Sequence, residues 1–339
     1  MSKLKVFMII MLFLSVVGYV SALPPISGRP NESWWSDSTT GNPLYKWLQE
    51  ADKLIEAGAN LGTGQVFYVD SGVTTEGNGT TWETAKDTID EAIGLCTASR
   101  GDIIYVAQGH AETVASATGL VCDVAGVSII GIGNGSLIPT ITLGTATTAK
   151  ISVTAANVRL SNLKIVSDLA DVAEGIDPTA TADGLIVDNC IFADGGAAKE
   201  LVIAINVTAD CDNIRLINNQ FSSSATSNTT NAIVLAGGSD NSVIAGNSIY
   251  GTYTAGGILA SAAASINLTV TDNIVGAIDA IAYAGNASTT GLFARNLLGA
   301  NTTSIAAALT GVDAMYCWEN YVTGALGASG IIYPAVDAD

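Results

Sequence analysis

Few side chains in this sequence are of a type and spacing suited to acid–base chemistry. His110 is the single histidine, and no GxSxG elbow is present. A histidine base needs an acid to orient it and a nucleophile to activate, so the expected role of His110 is a hydrogen-bonded turn residue. Cleaving a glycosidic bond takes one acid to protonate the leaving oxygen and a second carboxylate opposite. Asp123 and Asp177 stand nearest the apolar runs, while Asp188 and Asp272 each precede an asparagine. The positions equivalent to those last two hold Asn218, Gly246, Arg295 and Glu319, a variety that suits solvated corners rather than a catalytic pair. Asp70, Glu76 and Asn78 offer oxygen ligands for calcium in a Gly-rich turn, without the EF-hand spacing. GIGNGS (131–136) has the look of a phosphate loop but lacks GxGxxG and a following helix, so a chain corner is expected.

The residue type that recurs is asparagine. Aligned on Asn189 in LIVDNCIF, the same grammar returns at Asn219, Asn247, Asn273, Asn296 and Asn320, at spacings of 30, 28, 26, 23 and 24 residues. Three residues before each stands Ile186, Leu216, Ile244, Val270, Phe293 or Cys317; two after stands Ile191, Phe221, Ile249, Val275, Leu298 or Val322. VRLSNLKI around Asn162 fits with a one-residue slip, and VSIIGIG (127–133) reads as an earlier copy. A second apolar run precedes each bend, from VCDVA (121–125) and ISVTA (151–155) to VIAINVT (202–208) and IAAAL (305–309).

These asparagines need elements to carry them. A unit of about 25 residues with three short apolar runs has no room for an ordinary helix and no core of its own, so it must stack on copies of itself. The expected fold is all-β: a right-handed parallel β-helix of about eight coils, roughly 40 Å long at about 4.8 Å per coil. The asparagines would form a column at a sharp corner. Asn tolerates the left-handed region, and stacked amides can hydrogen-bond from coil to coil.

Composition agrees. Of 339 residues 48% are hydrophobic but only 6% aromatic, with 36 glycines, which suits strands packed closely on strands. The net charge of −18 comes without a basic cluster. That excludes nucleic acid as a partner, disfavours anionic polymers, and keeps an apolar-rich chain soluble. Residues 1–22 read as a signal peptide: Lys3 and Lys5, an apolar run, then Val20-Ser21-Ala22, with mature protein from Leu23. An uncleaved anchor is the alternative, and this segment is the only expected link to a membrane. Cys96, Cys122, Cys190, Cys211 and Cys317 show no CxxC spacing and are expected as small buried hydrophobes rather than zinc ligands.

Ahead of the coils, QVFYVD (65–70) and GDIIYVA (101–107) read as strands, and TAKDTIDEAIGLC (84–96) as a helix capped by Thr84 with Ile89, Ala92, Ile93 and Cys96 on one face. Residues 63–115 would cap an end of the stack that otherwise exposes unpaired edges. Residues 23–62 form an extension whose PLYKWLQEADKLIEAG suggests an amphipathic helix, either packed on the rod or used for attachment or oligomerisation. Trp34 and Trp35 beside it have the character of a contact site.

The run FYVD…GNGTTWETAKDTIDEAI…GDIIYVAQG resembles the N-terminal segment of pectate-lyase-like, right-handed β-helix proteins. GHAETV, VAGVSIIGIGNGS, PTITLGTATTA and AANVRLSNLKI resemble β-helix proteins encoded by tailed bacteriophages, often among virion structural genes. The resemblance spans about 65–220 and implies a fold more firmly than a function. Enzymes of that superfamily cleave polysaccharides with carboxylates on successive strands; here ISVTA, VIAINVT, AIVLA, GILAS, AIAYA and IAAAL carry none.

The expected function is therefore an exported or virion-surface rod with a structural, adhesive, glycan-contact or host-receptor role and no catalysis or cofactor, with calcium kept open. The alternative is a divergent polysaccharide lyase or glycoside hydrolase. Homo-oligomers, as trimers or end-to-end stacks, are a third expectation. Eight N-x-S/T sequons, among them Asn31, Asn206, Asn267 and Asn301, are as expected by chance in so Asn- and Thr-rich a chain.

Overall fold

The computed structural model describes residues 64–224, 228–277, 281–300, 308–323 and 330–332. The segment 1–22 expected as a signal peptide, the extension 23–62 and with it Trp34 and Trp35 lie outside the described residues. What is described is a parallel β-helix. Three sheets run its length, with ten strands in the first, ten in the second and eight in the third. Each coil contributes one strand to each sheet in turn; Arg215–Ile217, Gln220–Ser222 and Asn231–Leu235 make one such coil. Among the described strands, coil-to-coil pairing is parallel, and only Gly330–Ile332 returns antiparallel, on Asn320–Thr323.

The register explains the apolar spacing. Val187, Leu216, Ile244, Val270, Phe293 and Cys317 pair in sequence up the first sheet and all point inward. Phe192, Phe221, Ile249, Val275, Leu298 and Val322 form the matching inner column of the second sheet. Phe192 and Phe221 stack with ring centroids 4.8 Å apart and planes 6° from parallel, which is the coil spacing written in aromatic rings. Removing any of these side chains would open a cavity that the neighbouring coils cannot fill, at about 2–5 kcal/mol.

Each coil turns sharply on both sides of the first sheet. On the entry side, left-handed backbone falls at Gly101, Gly126, Asn157, Gly184, Asn213, Asn241 and Asn267, each two residues before the paired first-sheet position. Only Gly and Asn occupy this column, as expected where φ is about +55° to +80°. Asn267 belongs to it, which gives that sequon asparagine a backbone role.

The cap differs in detail from its sequence reading. The helix is Ile89–Ile93, with Thr88 rather than Thr84 at its N-cap, accepting from the Glu91 amide. Thr84 instead closes a 3-10 turn, Trp82–Thr84. The chain between cannot be helical because Lys86 is bound to the first strand: its N–H donates to Tyr68 O, and its carbonyl accepts from Asp70 N–H. Ile89, Ala92 and Ile93 are buried over the first coil, and Asp90 Oδ1 accepts from Val121 N–H of the end strand Leu120–Cys122 at 2.9 Å. The helix thus covers apolar side chains and satisfies an edge amide.

Candidate functional site

The recurring bend sorts into two columns. Asn162, Asn189, Asn218, Gly246, Asp272, Arg295 and Glu319 hold the left-handed corner, with φ from 48° to 67°. One residue later, Asn219, Asn247, Asn273, Asn296 and Asn320 are buried to 0–1% exposure and make an amide ladder. From Asn247 onward, each side-chain oxygen accepts from the backbone N–H and the amide of the Asn one coil before, as Asn273 Oδ1 does from Asn247 at 3.0 and 2.9 Å. Each Nδ2 also donates backward to a carbonyl, Asn247 to Leu216 at 2.8 Å.

Asn189 corrects the sequence alignment. Asp188 pairs with Ile217, so Asn189 matches Asn218, and the ladder position in its coil is Cys190. Asn189 is exposed at the corner; Cys190 N–H donates to Asn219 Oδ1 and closes the ladder. Asn162 stands in the same corner column, so the one-residue slip read at Asn162 holds and applies to Asn189 as well. Residue type misled the alignment because both adjacent positions favour Asn, one for its backbone tolerance and the other for its amide. Asp188 departs from expectation as well. It is 6% exposed and grips Arg159 through both oxygens, at 2.7 and 2.9 Å, with Ser161 and Asn189 donating too. Asp272 is the solvated corner it was expected to be, paired with Arg295 in the open.

An acid–base cluster gathers around Asp177, one of the two acids that the sequence placed nearest the apolar runs. Val172–Pro178 (VAEGIDP) is a third-sheet strand that its composition concealed. Lys150 Nζ lies 2.8 Å from Glu174 Oε2 and 2.6 Å from Asp177 Oδ2, and Asn206 Nδ2 donates to Glu174 Oε1 at 2.7 Å. Burial alone would lower the Lys150 ammonium, but hydrogen bonds to Asp177 and Glu174 hold it above the ordinary lysine range. The signal that would have found this strand is positional, since every coil owes the third sheet one strand. Asn206, a sequon residue, is buried in this cluster.

The other sequence candidates are accounted for locally. His110 is 1% exposed; its Nδ1 accepts from Ser71 N–H at 2.9 Å, and Nε2 faces Glu112 at 3.1 Å. Because Nδ1 is taken by a donor, the imidazole is held by its turn rather than poised toward a nucleophile. Glu112 also accepts from Ile89 N–H, so the pair ties the cap helix to the first coil. Asp70 and Asn78 spend their oxygens on their own turns. Glu76 instead gathers with Asp87 and Glu91, all exposed, and Glu76 pairs with Lys86. In GIGNGS, Asn162 Nδ2 binds the carbonyls of Gly131 and Gly133, so the loop is a tied corner. All five cysteines are free thiols, four of them buried.

The last coils carry an exposed aromatic face. Tyr316 is 82% exposed, Trp318 55% and Tyr321 51%. Tyr316 pairs with Leu292 and Trp318 with Ala294 in the first sheet, while Tyr321 continues Ile274 and Leu297 in the second. Glu319 and Asn320 make the bend between them, and the Asp272–Arg295 pair occupies the same bend in the coils before. MYCWENYV carries the signal in sequence, with Tyr316 and Trp318 two apart before the ladder Asn and Tyr321 directly after it.

No protein-family model and no curated protein matches the chain. Among solved structures, the chain is similar to a GH136 lacto-N-biosidase from Eubacterium ramulus, crystallised as its selenomethionine derivative, at 10% identity and a TM-score of 0.35, over 82% of this chain and 70% of that one. A likeness so slight assigns no function.

Proposed function

We propose that this protein is a glycan-contacting rod, exported or borne on a virion surface, that binds without cleaving. The observation that carries the reading is the exposed trio Tyr316, Trp318 and Tyr321. Exposed aromatic rings carried on rigid strands to either side of one bend cost little entropy to order and offer flat apolar faces with polar edges. A pyranose ring presents the complement, a C–H face rimmed by hydroxyls, and Asp272, Arg295 and Glu319 stand at the bend to meet them. The net charge of −18 favours a neutral glycan over an anionic one. The test is a glycan array with the chain from Leu23. Binding to neutral glycans that drops at least tenfold in Tyr316→Ala and Trp318→Ala, with unchanged Tm, supports the reading. Binding that persists in both variants, or light scattering showing that this face is buried between copies, overturns it.

A second reading, glycan cleavage, is favoured by Glu174 and Asp177. Sharing one ammonium places the two carboxylates within about 5.5 Å, the separation retaining glycosidases use. That same ammonium neutralises both acids, and their side chains are 18% and 16% exposed, which suits an ion triad that fastens strands. Depolymerisation of any array-positive glycan, abolished in Glu174→Gln, would establish cleavage instead.

A further inference from the structure

The sequence holds two Asn-Gly pairs, Asn78-Gly79 and Asn134-Gly135, and the fold treats them oppositely. Such a pair is chemically unstable where it can turn, because glycine has no Cβ to shield its nitrogen from the preceding amide carbon. At Asn78 it cannot turn. Asn78 Oδ1 accepts from Thr80 N–H at 3.2 Å, from Thr80 Oγ1 at 2.8 Å and from Thr84 Oγ1 at 2.9 Å. Gly79 is buried; its N–H donates to Thr84 O at 2.7 Å and its carbonyl accepts from Tyr68 N–H of the first strand. Asn134 and Gly135 are both exposed, in the corner GIGNGS. The ties from Asn162 Nδ2 end at Gly133, and the next bond to a distant residue is at Leu137, whose carbonyl accepts from Gly109 N–H at 2.7 Å. Between those anchors, neither the Asn134 side chain nor Gly135 N–H has a hydrogen-bond partner among the described residues. A side chain added at Gly135 would meet nothing within 4 Å, so this corner stands in open space.

We propose that Asn134 is a site of spontaneous deamidation, with water as the co-reactant. Gly135 N gives its proton to water or hydroxide and bonds to Asn134 Cγ. The Cγ–Nδ2 bond then breaks, and the nitrogen takes up a proton and leaves as ammonia, which closes a succinimide ring. Water opens that ring at one carbonyl or the other, to aspartate or to isoaspartate. Asn134 has a ψ of 152°, so its backbone must rotate before Gly135 N can reach Cγ. Only the local turn resists, through Leu137 N–H to Asn134 O at 3.1 Å and Ile138 N–H to Gly135 O at 3.5 Å. Either product adds negative charge to a chain already at −18. Isoaspartate also lengthens the main chain by a methylene at the corner on which Gly109 rests. Asn134-Gly135-Ser136 is a sequon too, and a glycan would occupy the leaving nitrogen, so glycosylation and deamidation compete there. This site is independent of the aromatic face.

The test incubates the folded chain, made in a bacterial cytoplasm so that its sequons stay bare, at mildly alkaline pH. Mass spectrometry follows the peptide around each Asn-Gly pair, and isoaspartyl methyltransferase labelling supplies a second readout. The expected result is conversion at Asn134 at least tenfold faster than at Asn78 in the native state. In guanidinium the two should convert at similar rates, because the protection of Asn78 comes from the fold. Asn134→Gln should abolish the labelling of that peptide and leave Asn78 as it was. An Asn134 peptide that keeps its amide in the native protein would overturn the proposal. So would an Asn78 peptide that keeps pace with it, or labelling of the 134 peptide that persists in Asn134→Gln.

Discussion

Asn247 donates to Asn273 Oδ1 at 2.9 Å while both are buried, so each amide in the bend is completed only by the coil above it. A backbone N–H and a carbonyl of the neighbouring coil depend on the same side chain: Asn247 accepts from Asn219 N–H and donates to Leu216 O. Buried polar groups left without partners cost about 1–3 kcal/mol each, so the ladder is a contiguous structural element and not a row of separate contacts.

The first prediction separates the two Asn columns. Asn247→Ala should destabilise the rod by about 2–4 kcal/mol, because it strands a buried N–H and a buried carbonyl. Asn189→Ala should cost only about 1 kcal/mol, the penalty of left-handed backbone at an exposed corner, and Asn189→Gly should be close to neutral. Urea unfolding of the three variants measures this directly. Equal losses at Asn189 and Asn247 would mean that the two columns are not distinct.

Acid should reveal the buried pairs. Burial works to raise Asp188 and Asp102, but Arg159 with Ser161, and Arg100 with the amides of Thr97 and Gln65, bring both below the ordinary carboxylate range. A lowered folded value means stability that is present above the unfolded value of about 3.9 and is lost as pH falls through the folded one. Tm should therefore hold from neutral pH to about 4 and then fall. In Asp188→Asn the parent's excess stability at pH 7 should be missing, and the drop below pH 4 should be shallower. A variant whose Tm follows the parent at every pH would exclude Asp188 from the transition.

The thiols should be silent in the folded chain. Burial pushes Cys122 and Cys190 up to about 12, so almost no thiolate exists at pH 8 to attack a reagent. Cys96 is pushed up to about 12 and Cys211 to about 11, again by burial first. A chromogenic disulfide reagent should label the native protein slowly and all five thiols quickly in guanidinium. Prompt labelling of the native rod at Cys190 would contradict its place at the closed end of the ladder.

What the sequence determined by itself is the repeat. The apolar residues at fixed distances from Asn219, Asn247, Asn273, Asn296 and Asn320 occupy the inner columns, because side chains in a coil alternate and the coil length fixes which of them meet. Tertiary structure decided what a one-residue difference can decide. Whether an Asn in the bend points into the stack or bends the backbone depends on the register of neighbouring coils, and at Asn189 that register overruled residue type. It also decided every pairing between charges far apart in the chain. Lys150 meets Glu174 and Asp177 across 24 and 27 residues because neighbouring coils lie side by side, a distance that no local pattern records.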